Sequence, residues 1–386
     1  MNALLNCSTL VKGGALQVAL SFIEQMLNAG DEDDWCMALS APVYEQAKDL
    51  LLNRRSRVEV IEPSPARSLL ARKTLRRMEA EIQPDVVFTL FGPSYVRFRS
   101  PHICGVAVPW VTHPNLLAYS RLCAVQQVFS LLDSVYRGYW FRQADAWVVE
   151  APVAKRGLMK LLRLSAERIT VVPNNCGQHY LSANSSTRLP SPGDTVRILT
   201  FSAYYPHKDL QIIPSVAREL AKLRPGVSFK FVLTIPHDSA ETAAIMDLAC
   251  AYGVSERIEN IGPVPVRAGP DLYQSCHMSF LPSLLETFSA NYPEAMAMHR
   301  PLVTTDLDFA KDVCGPAAVY FKPKDPVSAA TAILSLIENP RLWMKLLEEG
   351  ERVLSSLPTP ERKYALYRDC VIRLVAENRK QRDVSC

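Results

Sequence analysis

Short β-branched or apolar runs alternate with amphipathic helical stretches along the whole 386-residue chain. That alternation constrains the fold more than any other feature, because a strand, a helical crossover and a further strand form a right-handed parallel unit. Strands are expected at 3–7, 35–40, 58–61, 86–91, 103–108, 146–149 and 169–172, with a helix over 15–28 after the first. Residues 182–195, rich in Ser, Pro, Asn and Gly, read as a linker. A second series follows, with strands at 197–201, 229–233, 258–261, 278–281 and 302–305. Helices are expected at 210–223, 240–252 and 326–338, and over a C-terminal stretch at 340–377. The expected architecture is therefore α/β, with two doubly wound domains at 1–181 and 196–359. Ligands of open parallel sheets lie beyond the carboxyl ends of the strands, so two such sheets facing each other would share one cleft.

Composition narrows the function classes. With 48% hydrophobic and 21% charged residues, the chain can build ordinary cores and is not a disordered or low-complexity protein. Apolar runs such as 103–112 stop well short of the roughly 20 residues that a spanning helix needs. The first strand is expected to begin at once, with no secretory leader before it. The cysteines at 7, 36, 104, 123, 176, 250, 276, 314, 370 and 386 form no C-x-x-C pair, which favours buried thiols in a reducing compartment over a zinc site. A formal net charge of +4 is too small to point to nucleic acid.

The strongest local pattern is Glu286-Thr287-Phe288-Ser289-Ala290-Asn291-Tyr292-Pro293-Glu294, just after the strand expected at 278–281. A helix starting near Ser289 would aim the amides of residues 287–290 and the positive end of its dipole at an anion. Glu286 and Glu294 are suited to accept hydrogen bonds from sugar and ribose hydroxyls. Read alone, Glu286 is better taken as an N-terminal cap and Glu294 as part of a solvated helix face. Lys208 follows the strand at 197–201 across a short loop, and Gly13-Gly14 opens the helix after the first strand.

The Glu-x7-Glu pattern, continued by Ala295-Met296-Ala297 and Arg300-Pro301-Leu302-Val303-Thr304-Thr305-Asp306, resembles the donor signature of family 4 glycosyltransferases, retaining enzymes of the GT-B fold. Gly13-Gly14-Ala15, 144–149, 169–175 and 202–210 resemble other segments of that family in the same order, densely from about 144 to 340 and thinly before. The resemblance implies two Rossmann-like domains facing across a cleft, the first for an acceptor and the second for a nucleoside-diphosphate sugar. It also implies a C-terminal helix, 360–386, packed back on the first domain. Glu286, Lys208 and His113 are its implied catalytic residues. Gly13, Gly14, Lys208, Glu286, Thr287, Phe288, Ser289 and Glu294 are its implied nucleotide-sugar-binding residues. His102 and His207 are weaker alternatives to His113. The family has an Arg five residues before the Lys, where this chain has Ala203; Arg267 is one substitute.

No metal or other cofactor is expected, since a cation and a helix end can together balance a leaving diphosphate. Asp306-Leu307-Asp308 spells a metal-binding pattern but is read as structural, and the acidic turn 31–34 as a solvated loop. Segments 67–77 and 126–141 combine basic and aromatic or apolar residues, and either membrane-surface helices or ordinary sheet-covering helices would fit. The expected partners are a nucleotide-sugar and a saccharide or lipid-linked saccharide, without nucleic acid. The expected location is the cytoplasm, peripherally on the inner face of the membrane. Surface polysaccharide or lipopolysaccharide synthesis is the implied role. An inverting GT-B transferase, a nucleotide-sugar epimerase and a catalytically silent binding subunit are the alternatives. A nicotinamide enzyme is disfavoured because no G-x-G-x-x-G follows a strand.

Overall fold

The computed structural model describes every residue except 12, 31–32, 53–55, 192 and 386, and only the backbone of 381–385. It contains two compact units, each built on one parallel sheet. The first comprises residues 1–113, 128–174 and 358–386, and the second 114–127 and 175–357.

The first sheet holds β1 (Asn2–Cys7), β2 (Asp34–Leu39), β3 (Val58–Val60), β4 (Val86–Thr89), β5 (His102–Val106), β6 (Ala146–Val149) and β7 (Ile169–Val171), in the order β3-β2-β1-β4-β5-β6-β7. These strands are nearly continuous apolar runs because helices cover both faces of a parallel sheet. The C-terminal helix Pro360–Ser385 belongs to this unit. Its Tyr364 and Tyr367 rings meet Phe22 of the helix Gly14–Asn28 edge-on, at 5.2 and 5.8 Å between centroids. Lys363 Nζ donates to Asn174 Oδ1 at 2.6 Å, and Arg368 pairs with Asp33 at 2.8 Å.

The second sheet holds β8 (Val196–Thr200), β9 (Phe229–Leu233), β10 (Ile258–Asn260), β11 (Met278–Leu281), β12 (Leu302–Thr305) and β13 (Ala318–Phe321), in the order β10-β9-β8-β11-β12-β13. In its core Phe321 stacks on Phe280 at 5.3 Å, and Phe231 meets Phe280 edge-on at 5.7 Å. The strand order reverses between β1 and β4 in the first sheet, and between β8 and β11 in the second. Chain connections leave in opposite directions at such a point and open a crevice beyond the strand ends.

Several details depart from the sequence reading. Residues 182–195 fall within the second unit, and the chain passes between units at Asn174 and Asn175 instead. Segment 114–127, expected in the first domain, groups with the second because its hydrogen bonds and ion pair go there. The stretch 340–377 is two helices, Pro340–Ser356 and Pro360–Ser385, separated where Pro358 lacks the N–H to continue a ladder. The edge strand β13 was not anticipated. Of the acidic turn 31–34, residues 31 and 32 lie outside the described residues, as does Cys386.

Candidate functional site

The loops after β8 and β11 emerge at the point where the second sheet reverses. The first ends in a 3-10 turn, Pro206–Lys208, with Tyr205 stacked on His207 at 5.6 Å. The second runs from Pro282 to Ala290, and Leu284 N–H donates to His207 O at 2.7 Å, tying the two together. Lys208 Nζ forms an ion pair with Glu286, both side chains being largely buried.

The helix after this loop is Asn291–Ala297, so it starts later than the sequence suggested. Thr287, Phe288 and Ser289 therefore lie in the preceding loop, with Thr287 and Ser289 buried. Pro293 occupies the first turn, where the missing N–H costs nothing. Glu294, also in the first turn, is buried. Its Oε2 accepts from Tyr273 Oη at 3.3 Å and from Asn291 Nδ2 at 3.2 Å. Burial raises its carboxyl from the ordinary 4.5 to about 7, against the opposing pull of Tyr273, Asn291 and the Lys208 charge. One ammonium thus acts on two carboxylates eight residues apart in sequence.

Sequence reasoning missed the residues that brace this loop. Asp209 sits in the left-handed region at φ 54°, tolerated best by Gly, Asn and Asp. Its carboxylate is buried and paired with Arg121, which comes from the segment 114–127. Desolvation raises Asp209 from 3.8 to about 6, and Arg121 opposes the rise. Asn115 Nδ2 donates to Leu284 O of the second loop at 2.8 Å, and Ser120 Oγ accepts from Lys324 Nζ, beyond β13, at 2.6 Å, so with the Arg121–Asp209 pair this segment is anchored at three places in its own unit. No local spacing around Lys208 or Glu286 could have announced Arg121. Ala203 is exposed in the first loop, and Arg267 is exposed on the turn Val266–Ala268.

Of the other candidates, all but His207 belong to the first unit. Gly13, at φ 76° and ψ −161°, caps the helix Gly14–Asn28 in a region that only glycine adopts without strain. Both glycines are exposed beyond β1 at the reversal of the first sheet. His113 ends the turn Pro109–Thr112, with Nδ1 2.7 Å from Thr112 Oγ1. The Gly157 position on the helix Pro152–Leu162 allows that turn to pack closely, since a Cβ there would stand 1.8 Å from Thr112 O. His102 is buried within β5, where Nε2 meets Thr89 Oγ1 at 2.8 Å. Burial lowers its imidazole to about 3, so it is a neutral core histidine. His207 is held below its ordinary value by burial, which Glu286 opposes.

Asp306 pairs with Lys311, whereas Asp308 begins the helix Asp308–Cys314. Among the described residues, no group of three or more His, Cys, Asp or Glu is placed to hold a metal ion.

The stretch bearing Lys208, Glu286 and Glu294 has recognisable relatives. Residues 195–339 match the family described as Glycosyl transferases group 1. The D-inositol 3-phosphate glycosyltransferase of Nocardia farcinica is 25% identical over 174 residues, 43% of this chain and 38% of that protein. The match therefore spans well under half of that relative's length. Among solved structures, a glycosyltransferase from Rickettsia africae superposes with a TM-score of 0.71 at 13% identity, covering 97% of this chain and 98% of the other. HepE of Anabaena, in complex with UDP and glucose, gives 0.66 at 15% identity, covering 97% and 100%. At these identities the likeness concerns the fold. Two parallel-sheet α/β units of this kind are the GT-B fold of glycosyltransferases.

Proposed function

We propose that the protein transfers a hexose-type sugar from a nucleoside diphosphate to a hydroxyl of a saccharide or lipid-linked saccharide, with retention at the anomeric carbon. The observation that carries this reading is the Lys208–Glu286 ion pair at the reversal of the second sheet, within electrostatic reach of Glu294. The group 1 match over the same residues supports it, as does the binding of UDP and glucose by HepE.

When the donor binds, its diphosphate replaces Glu286 as the partner of Lys208. The freed Glu286 carboxylate accepts from the hydroxyls of the sugar, while Glu294 accepts from the ribose. As the bond between the anomeric carbon and the phosphate oxygen breaks, negative charge grows on the leaving diphosphate. Lys208 stabilises that charge more in the transition state than in the ground state. The backbone amides at Thr287, Phe288 and Ser289 add donors from the adjoining loop. The acceptor oxygen forms its new bond to the anomeric carbon on the face the diphosphate leaves, and its proton passes to the departing phosphate oxygen. No protein nucleophile and no metal are invoked. His113 contacts the transferred sugar, and the amides at Gly13 and Gly14 approach phosphate or acceptor. Exclusion of water from the assembled site would keep donor hydrolysis below transfer. We assign the activity to cytoplasmic assembly of surface polysaccharide or lipopolysaccharide.

Proton NMR of the product from an α-linked donor tests the stereochemistry. An α-linked product supports same-face transfer, and a β-linked product replaces it with an inverting mechanism using His113 as general base. Ala203, where the family carries Arg, favours a second reading in which the chain binds donor without turnover.

A further inference from the structure

The helix Ala124–Phe141 is inverted relative to an ordinary surface helix. At about 100° per residue, Val128, Phe129, Leu132, Val135, Tyr136 and Tyr139 share one face. Each is between 43% and 67% exposed. The inward side carries Gly138 and Ser134, whose Oγ donates to Trp110 O at 3.0 Å, with Phe141 at the C-terminal end as the one large apolar residue buried there. A single exposed leucine needs no explanation, but a continuous apolar helix face turned outward does.

A second element extends this face. Leu69 and Leu70, 73% and 72% exposed, begin the helix Leu69–Ile82. The two helices are joined by Arg72, whose Nη2 donates to Tyr136 Oη at 2.9 Å and whose guanidinium lies 5.2 Å from the Trp140 ring centre. Arg67, Lys73 and Arg76 are exposed on and beside that helix. Apolar side chains beside cations, with Tyr and Trp between them, match the order of groups across a lipid interface.

We propose that this face docks the protein on a bilayer containing anionic lipid, with Phe129, Leu132, Val135, Leu69 and Leu70 entering the acyl boundary and Arg67, Lys73 and Arg76 meeting the headgroups. Charge decides between the occupants. A second copy would set these cations against their own kind, whereas anionic headgroups complement them. The inference rests on the glycosyl-transfer reading only for its purpose, the delivery of a lipid-linked acceptor.

Vesicle flotation tests it, using phosphatidylcholine alone and phosphatidylcholine with one-third phosphatidylglycerol. Wild type should float with the anionic vesicles, less so at high salt, and poorly with the neutral ones. Phe129→Ser combined with Leu132→Ser should weaken binding at least ~10-fold by removing two inserted side chains, and Lys73→Glu with Arg76→Glu should act comparably. Thermal stabilisation by donor, read on the same variants, should be unchanged. Failure of wild type to float, or equal flotation by the variants, overturns the proposal. So does light scattering that shows a dimer dissociated by Phe129→Ser and Leu132→Ser. A loss of donor response in wild type with flotation intact would count against the transferase reading alone.

Discussion

Replacing Glu294 with Gln should make the protein more stable and a poorer binder of its donor. Glu294 is buried, and its carboxyl is raised from 4.5 to about 7, first of all by desolvation. The folded state therefore keeps this proton up to about pH 7, whereas the unfolded chain releases it near 4.5. Folding is penalised as pH rises between those values, and the full penalty above pH 7 is about 3 kcal/mol. At pH 5 less than about 1 kcal/mol of it remains. Gln keeps an oxygen to accept from Tyr273 and Asn291 but never carries the charge. For a unit of this size, the gain corresponds to a rise in Tm of roughly 6–12 °C at pH 8, and little at pH 5. Scanning calorimetry at the two pH values measures it. Titration calorimetry should show weaker nucleoside-diphosphate binding, because an ionised carboxylate accepts ribose hydroxyls better than an amide does. In wild type, affinity should accordingly increase as pH rises through about 7. A variant less stable at pH 8, or stabilised equally at both pH values, would refute the assignment of a desolvated, titrating Glu294.

The brace around Lys208 gives a companion test. Arg121→Ala leaves the Asp209 carboxylate buried without its cation, which should raise its pKa above about 6 and cost about 3 kcal/mol at pH 8. The loss should shrink towards pH 5 as Asp209 takes up a proton; urea unfolding at both pH values measures this, and a pH-independent loss would contradict it. In the first unit, Gly157→Ala would force a Cβ to 1.8 Å from Thr112 O and should cost about 3 kcal/mol through overpacking. Thermal unfolding checks this, and an unchanged Tm would contradict the close approach.

Much of the second sheet is legible in the sequence because buried parallel strands read as short apolar blocks. The runs 229–233, 278–281 and 302–305 coincide with β9, β11 and β12. The edge strand β13 is harder to see, since Val319 and Tyr320 are only half buried and its four residues follow a Gly-Pro pair. The helix at Asn291 is displaced from the expected start because Ser289 and Ala290 belong to a buried loop held by tertiary contacts. Lys208, Glu286 and Glu294 are conspicuous through type and spacing, yet spacing says nothing of the charge they share. Arg121 is invisible at that level: it lies 88 residues before Asp209 and reaches it only because segment 114–127 folds onto the second unit. The outward apolar face of the helix Ala124–Phe141 is ambiguous for the same reason, since periodicity fixes a face but not the side that meets the core.

Release of nucleoside diphosphate from hexose donors, compared between wild type and Lys208→Ala, tests the central claim most directly. Wild type should turn over at least one donor in the presence of acceptor, and Lys208→Ala should be slower by about 10²–10³, the usual loss for removing a group that meets charge developing in the transition state. Equal rates in the two proteins, or no release from any donor by wild type, would contradict the account.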